Sequence, residues 1–116
     1  MTHPPDFVEI VAAIEAESYD AALSLLAPLV DAGIPSAVGL LGTFYQLGLG
    51  FPPNGVKAVS LFTQAAKAGD ALAAHNLGTV YCTGLPGVAP NPDLARSWYK
   101  KARGLGLQLL PPDAYE

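Results

Sequence analysis

Slid along itself by 36 positions, the chain matches: Ala22 falls on Ala58, Ser24 on Ser60, Leu25 on Leu61, Ala32 on Ala68 and Gly33 on Gly69. Ala37 then meets Ala73, Leu41-Gly42-Thr43 meets Leu77-Gly78-Thr79, Tyr45 meets Tyr81 and Gly48 meets Gly84. One residue enters after Gly84, and the match resumes with Ala58 on Ala95, Leu61-Phe62 on Trp98-Tyr99, Ala65 on Ala102 and Gly69 on Gly106. A chain that repeats itself at such a period is built of stacked units, each burying its apolar face on the next. The extra residue lies in a Gly/Pro segment, where insertions belong.

Each unit reads as two helices. Over Ser36 to Leu47, Ala37, Leu41, Phe44 or Tyr45 and Gly48 recur at helical spacing and mark a buried face. Gly48-Leu49-Gly50-Phe51-Pro52-Pro53-Asn54 is a run of helix breakers, hence a loop. Gly55 to Ala68 forms the second helix, burying Ala58, Leu61, Phe62 and Ala65 and stopping at Gly69, a residue suited to a left-handed cap. The second copy follows as Ala71 to Thr83, a loop over Gly84 to Pro92, and Asp93 to Arg103, with Asp93 as the expected N-cap.

Upstream, Phe7, Ile10, Val11 and Ile14 form an amphipathic stripe within Pro5 to Glu17. Tyr19 to Ala32 matches the second helix of a unit, with Pro28 expected to bend it. The expected fold is therefore all-α, a short α-α solenoid of about three helix pairs in a single domain over residues 1–116. Its parts are an irregular opening pair at 5–33, repeats at 34–69 and 70–106, and a tail at 107–116. Leu105, Leu107, Leu109 and Leu110 are expected to fold back as a cap on the open core, a binding tail being the alternative.

The composition, 51% hydrophobic and 14% charged, belongs to a folded chain. The longest nearly apolar stretch, Ala21 to Val30, is about half the ~20 residues a bilayer span requires. The start, Met1 to Asp6, shows no secretory signal, so cytoplasmic localisation without membrane insertion is expected. A single cysteine fits a reducing compartment and rules out an intrachain disulfide framework. The net charge of −4 argues against a nucleic-acid partner. The charges are also segregated. Asp6, Glu9, Glu15, Glu17, Asp20 and Asp31 precede the first basic residue, Lys57, whereas Arg96, Lys100, Lys101 and Arg103 crowd one late helix.

The strings A-x-x-x-L-G-x-x-Y-x-x-G, at Ala37 to Gly48 and Ala73 to Gly84, and G-V-x-x-x-x-D-x-A-x-x-W-Y-x-K-A, at Gly87 to Ala102, resemble the Sel-one-like repeat, a relative of the tetratricopeptide repeat. The likeness covers Tyr19 to Gly106. Leu40 departs from the polar residue that Asn76 keeps in the second unit, and Gly87-Val88 is preceded by the longer Gly84-Leu85-Pro86. The resemblance implies a right-handed solenoid whose first helices line a concave surface, and a role as adaptor or binding scaffold. Members of the family act in signalling complexes, membrane-associated degradation, bacterial regulation and toxin-immunity pairs. A cysteine-rich branch linked to β-lactam binding carries a disulfide per repeat; with Cys82 alone, this chain departs from it.

Chemistry finds little support in the residues. His75 and Cys82 lie seven apart on one helix, roughly 10 Å along its axis, too far for a thiol–imidazole pair. Only His3 could add another nitrogen, so neither a metal site nor a cofactor is expected. Glu15 and Glu17 fall on different faces, and Gly48-Leu49-Gly50 lacks the strand and lysine of a phosphate cradle. The chain is thus not expected to be an enzyme.

What remains is the solvent side of the two first helices: Ser36, Gly39, Leu40, Thr43, Gln46 and Leu47, then Leu72, His75, Asn76, Thr79, Cys82 and Thr83. The expected partner is another protein, held by Gly39, Leu40, Thr43, Leu47, His75, Asn76, Thr79 and Thr83, with Arg96 and Lys100 on the basic helix as a second contact. A bacterial immunity or regulatory protein is one form of that reading. The alternatives are a small-ligand protein or enzyme using His75, and a homo-oligomer self-associating weakly through its oppositely charged ends.

Overall fold

The computed structural model describes residues 7–107, over which six helices follow one another. They are α1 (Phe7–Glu15), α2 (Tyr19–Asp31), α3 (Pro35–Leu47), α4 (Gly55–Lys67), α5 (Ala71–Thr83) and α6 (Pro92–Gly104). Among the described residues there is no strand, only one antiparallel bridge joining Leu85 to Val88. The expected all-α solenoid of about three pairs is what the chain forms.

The even-numbered helices all stop in one way. Gly33, Gly69 and Gly106 adopt φ values of 74°, 102° and 104°, where an L side chain would be strained. The next residue then returns its N–H to a carbonyl five residues back: Ile34 to Leu29 at 3.1 Å, Asp70 to Ala65 at 3.0 Å and Leu107 to Ala102 at 3.0 Å. These 6→1 bonds satisfy carbonyls that the helix end leaves open. Helix α1 closes likewise, but on Glu17 at φ 58°, with Ser18 bonded to the Ala13 carbonyl at 2.8 Å.

Helix starts follow the repeat too. The side chains of Asn54 and Asn91 accept the N–H of Lys57 and Leu94, each at 3.1 Å. Their own N–H groups donate to the Tyr45 and Tyr81 carbonyls at 2.8 and 2.7 Å, tying each loop to the helix before it. Asn91, not Asp93, is therefore the N-cap of α6. Proline has no N–H to satisfy and is preset for the first helical position, so Pro92 places the cap at Asn91, two residues before Asp93. Asp93 lies in the first turn and pairs with Arg96 at 3.4 Å.

Small residues set how closely the helices approach. A Cβ built on Gly42 would stand 2.8 Å from the Phe62 ring, and one on Gly78 would stand 2.5 Å from the Tyr99 ring, the same contact in successive units. Phe62 joins Val38, Ala65, Ala73, Leu77 and Val80 in one buried cluster; Phe44 joins Ile10, Ala22, Leu26 and Ala37 in another. Pro28 lies on an exposed face of α2, and the helix runs on to Asp31.

One approach is closer still. The Gly55 N–H donates to the Pro86 carbonyl at 3.0 Å, and a Cβ there would stand 2.5 Å from that oxygen. The loop of the second repeat thereby rests on the start of α4. Pro86 and Gly87, the latter at φ 83°, sit at the centre of a turn closed by Leu85 and Val88.

The pairs α1–α2, α3–α4 and α5–α6 stack in order, and α3 also packs closely on α5, whereas neither α1 and α3 nor α4 and α6 approach as closely. The first helices thus form the inner, concave layer of an elongated body, 49 × 29 × 23 Å. At the far end Leu107 packs against the core, but Leu105 is exposed rather than part of a cap. The expected cap residues Leu109 and Leu110 lie outside the described residues, as does His3.

Candidate functional site

Three helices converge on one trough. Phe7 and Val11 of α1, Leu40 and Thr43 of α3, and Leu72 and Asn76 of α5 line a groove of about 220 Å³, with Gly39, Ala73 and Asp70 at its base. Val11, expected on the buried stripe of its helix, is instead exposed here.

The threonines of the inner layer turn their hydroxyls back on their own helices. Thr43 donates to the Gly39 carbonyl at 3.4 Å and Thr83 to the Thr79 carbonyl at 3.1 Å, while the Thr79 hydroxyl lies 3.4 Å from the His75 carbonyl and pairs with the Tyr99 hydroxyl at 3.1 Å. Such back-bonding is open to threonine on a helix and leaves its methyl as the outward surface. Leu47 is 59% exposed and Leu72 51%, so the inner face is apolar well beyond the groove. Of the residues expected there, Leu40, Thr43 and Asn76 line the groove, Thr79 is half-buried, and Leu47 and Thr83 are exposed beside it.

Two expected positions need correction. Gly39 is buried: its missing side chain makes room for Ala73 and Ala65, and the Asp70 carboxylate occupies the space a Cβ would take. It shapes the groove and offers no side chain to a partner. His75, expected to face solvent, is half-buried: its ring lies against the Tyr99 ring at 5.1 Å, with Nδ1 shut away from solvent and unpaired among the described residues. It occupies the place that Gly39 holds one repeat earlier, which the following helix covers. Burial holds the imidazole below its usual pKa.

Asp70 went unnoticed in the sequence, where it reads only as the residue after a cap glycine. Among the described residues the structure makes it the single ionisable group lining the groove, its carboxyl pushed up by burial and drawn partly back by the N–H groups of Ala73 and Leu72. Cys82 is exposed and unpaired. Among the described residues, no three His, Cys, Asp or Glu side chains gather as metal ligands would.

On the basic helix, Arg96 is half exposed beside Asp93, and Lys100 and Lys101 face solvent. Leu94 and Trp98 lie between Lys67 and Lys101 in a second, more open apolar hollow on the outer side.

Sequence comparison matches the model of the Sel1 repeat at residues 35–70 and again at 71–107. The chain belongs to the Sel1 repeat family. A Sel1 repeat protein from Oxalobacter formigenes superposes with a TM-score of 0.74 at 31% identity, over 85% of this chain and 40% of that one. The protective antigen c5321 of uropathogenic Escherichia coli, which displays the same repeat fold, superposes at 0.69 and 28% identity, over 74% of this chain and 18% of its own. This chain thus spans less than half the length of either. No curated protein matches its sequence. Sel1 repeats typically mediate protein–protein interactions and are generally non-catalytic scaffolds. No helix among the described residues is long and apolar enough to cross a membrane.

Proposed function

We propose that this Sel1 repeat chain docks a partner protein on its concave face, through Leu40, Thr43, Leu47, Asn76, Thr79 and Thr83, with Arg96 and Lys100 of α6 as a second contact. The carrying observation is the groove shared by α1, α3 and α5, whose walls are mainly leucine, valine, phenylalanine, alanine and back-bonded threonine, with Asn76 and Asp70 as polar points among them. An apolar trough on a helical scaffold suits the apolar face of an incoming segment, and contiguous exposed apolar surface of this kind marks interaction sites. His75 and Gly39 shape that face from beneath. The opening pair and both repeats act as one unit. In the cell we place the protein in the cytoplasm as an immunity or regulatory protein that covers a toxin or enzyme. Both structural neighbours are bacterial, in keeping with that setting.

Capture from native lysate with the immobilised chain, read by mass spectrometry, tests the reading. A partner held by the wild type should be lost with Leu40→Arg/Leu47→Arg, and also with Leu72→Arg, whose exposed site leaves the fold intact. Circular dichroism should be unchanged, and Ser60→Arg on the outer layer should capture normally. A partner that survives Leu72→Arg with full occupancy overturns the assignment.

A further inference from the structure

The groove is apolar but not neutral. Asp70 lines it from the start of α5, and its Oδ2 lies 2.6 Å from where a Cβ on Gly39 would stand, so the carboxylate rests in the notch which that glycine opens between α3 and α5. No described Lys, Arg or His pairs with it. The basic residues lie elsewhere: Lys57 and Lys67 on α4, and Arg96, Lys100, Lys101 and Arg103 on α6. Helices α1, α3 and α5, which build the concave layer, carry no lysine or arginine, while α1 adds Glu9 and Glu15. A carboxylate set among low-dielectric walls, with no cation of its own, focuses a negative potential into the trough.

We propose that the groove takes an apolar segment of a partner protein that carries one lysine or arginine, whose charged head meets the Asp70 carboxylate. This deepens the docking reading above and rests on it. The two features of the site select that side chain together. The aliphatic stem of lysine or arginine lies well against Leu40, Leu72 and Ala73, while its head needs an anion at the end of that reach. A wholly apolar segment would strip water from Asp70 and leave its charge with only the Ala73 and Leu72 N–H groups, and an acidic one would add repulsion, so both are discriminated against. Burial already makes the ionised form of Asp70 costly, as its raised carboxyl shows, and an arriving cation relieves that cost.

Selection of random 12-residue peptides by display on the immobilised full chain provides the test. Selected peptides should carry Lys or Arg flanked by Leu, Ile, Phe or Met. Asp70→Asn, which keeps the shape and removes the charge, should weaken them about tenfold or more while the melting temperature is maintained. Raising salt should weaken binding to the wild type more than to Asp70→Asn. Peptides that lose binding with Leu72→Arg yet stay within about twofold on Asp70→Asn would remove the cation and leave the docking reading standing. Peptides indifferent to both substitutions, or a selection that yields none, would remove both.

Discussion

At the scale of single residues, the helices are spaced by what two glycines lack. Phe62 is fully buried and cannot swing aside, so Gly42→Ala must push the ring or the helix. The alanine gains about 1 kcal/mol in helix propensity, against about 1–3 kcal/mol for overpacking a close-fitted site. We expect a net loss of stability in urea denaturation, and a gain would show that the contact is slack. Tyr99 is only half-buried, so Gly78→Ala should cost less although its contact is shorter. Both glycines were legible in the sequence, because they recur in register with an aromatic partner.

His75 was not legible in the same way. It shares the register of exposed residues, and its partial burial comes with α6 bringing Tyr99 across it, a tertiary fact that no local spacing encodes. Its folded pKa lies below the usual histidine value, so its contribution to stability is whole above about pH 6.5 and is lost as pH falls through the folded value. Melting temperature should therefore drop between pH 7 and pH 5 in the wild type, and drop less in His75→Gln. Equal drops would contradict that account. Tyr99 of α6 is the side chain whose ring the structure sets against the imidazole.

At the scale of elements, boundaries were readable wherever chemistry forces them. The Gly33, Gly69 and Gly106 stops follow from φ values that disfavour a side chain, and the Gly/Pro loops follow from breakers. The start of α6 was misplaced at Asp93 because aspartate and asparagine are both good caps, and only the position of Pro92 separates them. Asn54→Ala and Asn91→Ala should each cost about 1 kcal/mol by thermal denaturation. Asp93→Ala should cost no more than about 0.5 kcal/mol, since it removes only an exposed pair with Arg96. The reverse order would restore Asp93 as the cap. The αL residue Glu17 carried no glycine to announce it, so the turn out of α1 could not be foreseen.

At the scale of the whole molecule, a 36-residue period sufficed for the solenoid and for its inner and outer layers, since the repeated small residues dictate which helices lie close. The chemistry of the groove was legible only in part. Leu40, Thr43 and Asn76 were placed on it from helical register, but Val11 and Asp70 enter from a different pair and a different repeat, which stacking alone brings together. Charge tells a similar story. Segregation of acidic and basic residues was plain in the chain, while the absence of lysine and arginine from the concave layer appears only once α1, α3 and α5 are seen side by side.

That layer is also where the account is most exposed to test. Hydrogen–deuterium exchange of the chain, alone and with its captured partner, reports which helices the partner covers. Slowed exchange concentrated in peptides from α1, α3 and α5, with a lesser effect around Arg96 and Lys100 of α6 and α4 little changed, is the predicted result. Slowing concentrated on the outer helices, with residues 36–47 and 71–83 unaffected, would contradict it.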